Sequence, residues 1–145
     1  MTPWSPSADV VERRLAHQRD LLVEVRKLQP LTAARLASEP VVRAAVERMI
    51  QAVVDLALDI NGHIASSVLD RSPGTGRESF DLMVTAGVLE AAHAERLKPA
   101  VGLRNILVHL YADIDVDIVA DSIDEFATAF SDYVRSVARW LLANG

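Results

Sequence analysis

The stretch that decides the fold is the last long segment, 116-VDIVADSIDEFATAFSDYVRSVARWLL-142. Its apolar side chains recur every three or four residues, which places them on one face of a helix with 3.6 residues per turn. The members of this face are Ile123, Phe126, Ala127, Phe130, Tyr133, Val134, Val137, Trp140 and Leu141. The segment therefore predicts an amphipathic helix from Val116 to Leu142, with one face in a helical core.

The rest of the chain repeats this period, and no segment shows the alternation of a strand. The long helix over 39–68 is apolar around much of its circumference. We therefore expect it to lie at the centre of the bundle or to be shared with another subunit. The predicted elements are a helix over 8–29 ended by Pro30, a short helical turn or connector over 31–39, the long helix over 39–68, a loop over 72–77, a short helix over 78–85 closed by Gly87, and a helix over 90–111 bent near Pro99 and Gly102. Together with the last helix, these elements predict a single all-α domain over 1–145, a bundle of four or five helices.

Composition narrows the class of protein. The 145 residues are 50% hydrophobic but only 5% aromatic, and the chain has no cysteine and a formal net charge of −5. Neither a disulfide framework nor a thiolate metal site is therefore expected. The first seven residues do not resemble a signal peptide, and charges interrupt every apolar stretch well before the roughly 20 residues of a membrane-spanning helix. We expect a soluble, cytoplasmic protein.

The segment 102-GLRNILVHLYADID-115 concentrates the chemistry-bearing side chains. It brings Arg104, Asn105, His109 and Tyr111 within about two helical turns. Histidine exchanges protons near neutral pH, and the arginine fork matches the oxygens of a phosphate and of its more negative transition state. Asn105 has a place for orienting the imidazole or the phosphate. Because RNA supplies its own nucleophile, the ribose hydroxyl, this set suits metal-free cleavage of an RNA phosphodiester.

The spacing between Arg104 and His109 is by itself weak evidence for a catalytic site. An arginine in a surface ion pair and a histidine at a helix interface can have the same spacing. The remaining histidines lie far apart in the sequence and predict no metal site. Asp113, Asp115 and Asp117 suit capping of the last helix better than cation binding. Three residues precede the motif and form either a basic rim for RNA or a helix face exposed to solvent: His93, Arg96 and Lys98.

The extended pattern Arg-Asn-x-x-x-His-x-Tyr, followed by two aspartates, resembles the signature of HepT toxins of the HEPN superfamily. Further resemblance lies in 42-VRAAVERMIQ-51 through 59-DINGHI-64, in 77-RESFDLMVTAGVL-89 and in 94-AERLK-98. It thus covers nearly the whole chain. The loop before the middle helix departs from the pattern, because 72-SPGTGR-77 contains less proline than is usual in the family.

The resemblance implies an HEPN-like bundle that forms a homodimer, with two copies of the motif around a shared cleft. It implies that Arg104 and His109 are the ribonuclease residues, that Asn105 assists them, and that no cofactor is needed. It also implies a partner, an MNT nucleotidyltransferase antitoxin that transfers AMP to Tyr111. The alternative is a non-catalytic HEPN module that serves only as the partner subunit of such a nucleotidyltransferase.

Overall fold

The computed structural model describes residues 7–109 and 115–144, which form six α-helices joined by short connections. The helices are α1 (Ser7–Leu28), α2 (Ala33–Ser38), α3 (Pro40–Ile64), α4 (Gly76–Thr85), α5 (Ala91–His109) and α6 (Val116–Asn144). The described residues contain no strand, so the predicted all-α fold class is confirmed. Of the two forms predicted for 31–39, the helical turn is the one present: α2 has six residues and brings the number of helices to six.

Helix α3 lies at the centre of the bundle and packs against α1, α2, α4 and α5. Its buried side chains lie on more than one face, because each neighbouring helix covers a different part of its surface. Those side chains are Val46, Ile50, Val53, Val54, Ala57, Ile60, Asn61 and Ile64. The predicted continuation toward Val68 is present as a π-helical turn over Ala65–Leu69.

Helix α4 begins at Gly76, two residues earlier than the sequence predicts, because the preceding loop supplies a cap. The Thr75 hydroxyl accepts a hydrogen bond from the backbone N–H of Glu78 (3.1 Å), and the Glu78 carboxylate accepts one from the N–H of Gly74 (3.1 Å). These reciprocal bonds satisfy amide groups that the first helical turn leaves without partners. The helix closes at Gly87 as predicted, with a φ of +82° that favours glycine.

Helix α6 closes the bundle against α1, α2 and α5, and the apolar face predicted for it is largely buried. Its Tyr133 is fully buried, and the phenol donates a hydrogen bond to Asn61 Oδ1 (2.7 Å). The Asn61 amide in turn donates to the hydroxyl of Ser79 (3.0 Å), so one polar network joins α6, α3 and α4. Burial raises the pKa of Tyr133 well above its usual value.

Helix α5 is continuous from Ala91 to His109, with Pro99 inside it. It buries side chains against its neighbours α3, α4 and α6, which fixes the direction of its last turns. Among the described residues, no helix combines the length and the hydropathy needed to cross a membrane.

Candidate active site

The end of α5 carries three of the predicted site residues on one continuous helix. Leu103 and Leu107 are buried and anchor this end of the helix in the core. Arg104 is half-buried, whereas Asn105 and His109 are exposed to solvent. The sequence pattern therefore places polar groups at the protein surface on a helix whose apolar side is fixed.

Two hydrogen bonds orient the Arg104 guanidinium. Its Nε donates to Oδ1 of Asp55 on α3 (2.8 Å), and its Nη1 donates to Oδ1 of the neighbouring Asn105 (3.3 Å). A guanidinium has five N–H groups, and these bonds use two of them, so three have no hydrogen-bond partner among residues 7–109 and 115–144. The ion pair is partly open to water, with 28% of the Arg104 side chain and 44% of the Asp55 side chain exposed. Its contribution to stability is accordingly small, and its main effect is on the direction of the side chain.

Asp55 is the site residue that the sequence analysis missed. It lies 49 positions from Arg104, so only the packing of α3 against α5 brings the two together. A sequence signal does exist, because Asp55 is a charged residue within the apolar stretch 52-AVVDLAL-58. A carboxylate on a central helix requires a partner, and an arginine on a neighbouring helix is the usual one.

His109 is the last residue of α5, and its imidazole makes no hydrogen bond or ion pair to any other residue in 7–109 or 115–144. Two roles were open for Asn105, orienting the imidazole or orienting the phosphate. Among the described residues, the side chain of Asn105 contacts Arg104 and not His109.

The three residues proposed as a basic rim lie closer to the start of α5, and all three have partners. His93 Nε2 is 3.1 Å from the carbonyl oxygen of Ala129 on α6. The acidic partners of the two cations are Glu125 and Asp132 for Arg96, and Asp81 and Glu95 for Lys98. Hydrogen bonds to these carboxylates raise the pKa values of Arg96 and Lys98. Their contact with RNA stays a prediction, one that requires phosphate to replace carboxylate.

The remaining candidate residues belong to the segment between α5 and α6 or to the start of α6. Asp115 Oδ1 accepts a hydrogen bond from the backbone N–H of Asp117 (2.9 Å), so the capping role predicted for the start of α6 is confirmed for Asp115. Tyr111 and Asp113 lie outside the described residues. Within 7–109 and 115–144, no group of three or more histidine and acidic side chains is arranged to bind a metal ion.

The known proteins that this chain resembles include ribonucleases. A family model described as Ribonuclease HepT-like matches residues 19–137. The tRNA nuclease HepT of Aphanizomenon flos-aquae is 29% identical over 133 residues, which cover 92% of this chain and 90% of that relative. The mRNA nuclease HepT of Shewanella oneidensis is 29% identical over 89 residues, or 61% of this chain and 64% of that relative.

A solved structure shares the fold. It is the tri-AMPylated HEPN toxin of Shewanella oneidensis in complex with an MNT antitoxin, which superposes with a TM-score of 0.80 at 21% sequence identity over 90% of this chain and 98% of that one. At this identity the likeness concerns the fold, and it agrees with the HEPN-like bundle predicted from the sequence. Since the family model covers most of the chain, the protein belongs to the Ribonuclease HepT-like family.

Proposed function

We propose that the protein is a cytoplasmic endoribonuclease toxin that cleaves RNA without a metal ion and is neutralised by an MNT nucleotidyltransferase antitoxin. One observation carries the proposal: the Arg104 guanidinium is oriented by Asp55 and Asn105, keeps three N–H groups unbonded within the described residues, and lies five residues before an exposed His109 on the same helix. Family membership supports the same activity.

The reaction requires two proton transfers and one site for negative charge. The ribose 2′-hydroxyl loses its proton, and its oxygen forms a bond to the adjacent phosphorus. The bond from phosphorus to the 5′-oxygen breaks, and that oxygen takes up a proton, which gives a 2′,3′-cyclic phosphate and a 5′-hydroxyl. Arg104 stabilises the negative charge that develops on the phosphate oxygens during this exchange.

His109 is the group that transfers protons in this scheme. The entering and leaving oxygens lie on opposite sides of phosphorus, so one neutral and one protonated imidazole serve the reaction best. A homodimer with two copies of the motif at a shared cleft supplies both. Light scattering on the purified protein tests the dimer directly.

Cleavage in the presence of a chelator tests the activity. We expect the purified protein to cut total RNA equally well with and without an excess of EDTA, because the described site consists of nitrogen donors and a hydrogen-bonded carboxylate. Products ending in a 2′,3′-cyclic phosphate identify attack by the ribose hydroxyl. Intact RNA, together with tight binding of the nucleotidyltransferase, would instead favour the non-catalytic binding module.

Replacement of Asp55 tests whether orientation of Arg104 matters. We expect Asp55→Ala to lower kcat for RNA cleavage by about 10- to 100-fold, because a guanidinium without its partner no longer occupies one position at the phosphate. Asp55→Asn keeps an oxygen acceptor and has a smaller effect. Steady-state kinetics on a defined RNA measure both variants.

The matched control is Asp59→Ala. Asp59 lies one turn further along α3 and forms an ion pair with Arg14 on α1, away from the α5 site. Both substitutions break an interhelical ion pair, so they change the free energy of unfolding to a similar extent, but only the first changes kcat. Equal kinetics for Asp55→Ala and Asp59→Ala would reject the orienting role.

A further inference from the structure

Arg77 occupies an unusual place on the surface of α5. It is the second residue of α4, it is exposed, and it makes no hydrogen bond or ion pair to another residue in 7–109 or 115–144. Its Nη2 atom lies 3.1 Å from the position that a Cβ atom at Gly102 would occupy. The guanidinium therefore lies against the helix backbone at Gly102, and a Cβ atom there would require it to shift by a few tenths of an ångström.

The register of α5 connects this position with the candidate active site. Gly102 and His109 are seven residues apart, which places them on one face of the helix about 10 Å apart along its axis. Asn105 lies between them, three residues after Gly102 and four before His109, and its side chain contacts Arg104. The Arg77 guanidinium thus lies at one end of a surface that has His109 at its other end.

Charge distinguishes Arg77 from its neighbours. Arg71 lies near the Glu78 carboxylate, and Arg96 and Arg104 have carboxylate partners of their own. In a chain with a net charge of −5, a guanidinium without an acidic partner produces a local positive potential that attracts phosphate.

We propose that Arg77, from its place against the α5 backbone at Gly102, binds a phosphate of the RNA strand next to the one that is cleaved. The proposal rests on the proposed function for the identity of the ligand. A single strand spans the distance from Gly102 to His109 within a few nucleotides, so Arg77 contacts a flanking phosphate while Arg104 contacts the reacting one. Arg77 is a binding residue in this scheme and takes no part in proton transfer.

Binding of a labelled RNA at several salt concentrations tests the proposal. The probe is a fluorescein-labelled single-stranded RNA of about 12 nucleotides, and the protein is the full chain with His109→Ala, so that the probe stays intact. We expect Arg77→Gln to raise Kd by about five- to tenfold and to reduce the slope of log K against log salt by about 0.7, the loss of one phosphate contact. Arg77→Lys, which keeps the charge, recovers part of the affinity.

Arg13→Gln is the matched control. Arg13 is an exposed arginine of α1, a helix that packs against α3 and α6, and it has no hydrogen bond or ion pair within the described part of the chain. The substitution changes the net charge by the same amount and is expected to leave Kd and the slope unchanged. Unchanged binding by Arg77→Gln overturns the proposal, and so does an equal loss in Arg13→Gln.

A second variant, Arg77→Glu, covers the case in which Arg77→Gln does not fold. Reversal of the charge at this exposed position is expected to raise Kd further than Arg77→Gln does. Unchanged RNA binding in that variant overturns the proposal. Cleavage by the wild-type chain is measured separately, so a failure of the proposed function is distinguished from a failure of this binding site.

Discussion

His109→Ala is expected to abolish RNA cleavage and, with it, growth inhibition of the host. General acid–base catalysis contributes about 10²–10⁴-fold to such reactions, and no other described histidine lies at this end of α5 to take its place. Because the imidazole is exposed and makes no hydrogen bond or ion pair within the described residues, we expect its removal to leave the core packing unchanged. Gel analysis of a defined RNA and colony counts after induction measure the two effects.

Arg104→Ala is expected to give a loss of similar size for a different reason. Removing one donor that stabilises developing negative charge costs about 10²–10³-fold in kcat. Arg104→Lys keeps the charge but not the planar fork that bonds Asp55, Asn105 and phosphate together, so we expect only partial recovery. Circular dichroism and light scattering should show unchanged helicity and dimerisation in each variant.

His17→Ala is the control for both. His17 is an exposed histidine on α1, so it tests whether loss of any surface imidazole matters. Full activity in His17→Ala and none in His109→Ala is the expected pair of results. Equal cleavage by the wild-type chain and by His109→Ala would exclude a catalytic role for His109.

The fold class could be predicted from the sequence because helical periodicity is a local property. The apolar face of 116–142 and the broad apolar surface of the third helix specify an amphipathic and a central helix before any contact is known. The start of α4 was placed two residues too late, because a bond between the Glu78 side chain and the Gly74 amide depends on the path of the loop. Such a bond is not visible in a pattern of hydrophobic residues.

The site residues also differ in whether the sequence could predict them, depending on how close together they lie in the chain. Arg104, Asn105 and His109 are five residues apart at most, so the sequence could place them on one helix end. Asp55 and Arg77 belong to other helices, and their positions beside α5 depend on how α3 and α4 pack against it. The partners of Arg96 and one partner of Lys98, Asp81, are likewise acidic residues of neighbouring helices, which no local spacing indicates. The other partner of Lys98, Glu95, is three residues away on α5, a spacing that the sequence does show.

The second large effect concerns neutralisation. When the protein is co-expressed with its MNT nucleotidyltransferase, we expect mass spectrometry to find AMP on Tyr111. An AMP group there adds negative charge and bulk two residues after His109, where the phosphates of RNA must approach, so the modified protein should be inactive. Tyr111→Phe should retain cleavage and should no longer be neutralised by transfer of AMP.

The chain itself supplies the control for this assignment, because it contains only two tyrosines. Tyr133 is fully buried in α6 and its hydroxyl is hydrogen-bonded to Asn61, so an enzyme that transfers AMP has no access to it in the folded protein. We therefore expect Tyr133→Phe to lose about 1 kcal/mol of stability through that hydrogen bond and to accept AMP as the wild-type chain does. An adduct mapped to Tyr133, or undiminished modification of Tyr111→Phe, would show that the antitoxin recognises another residue.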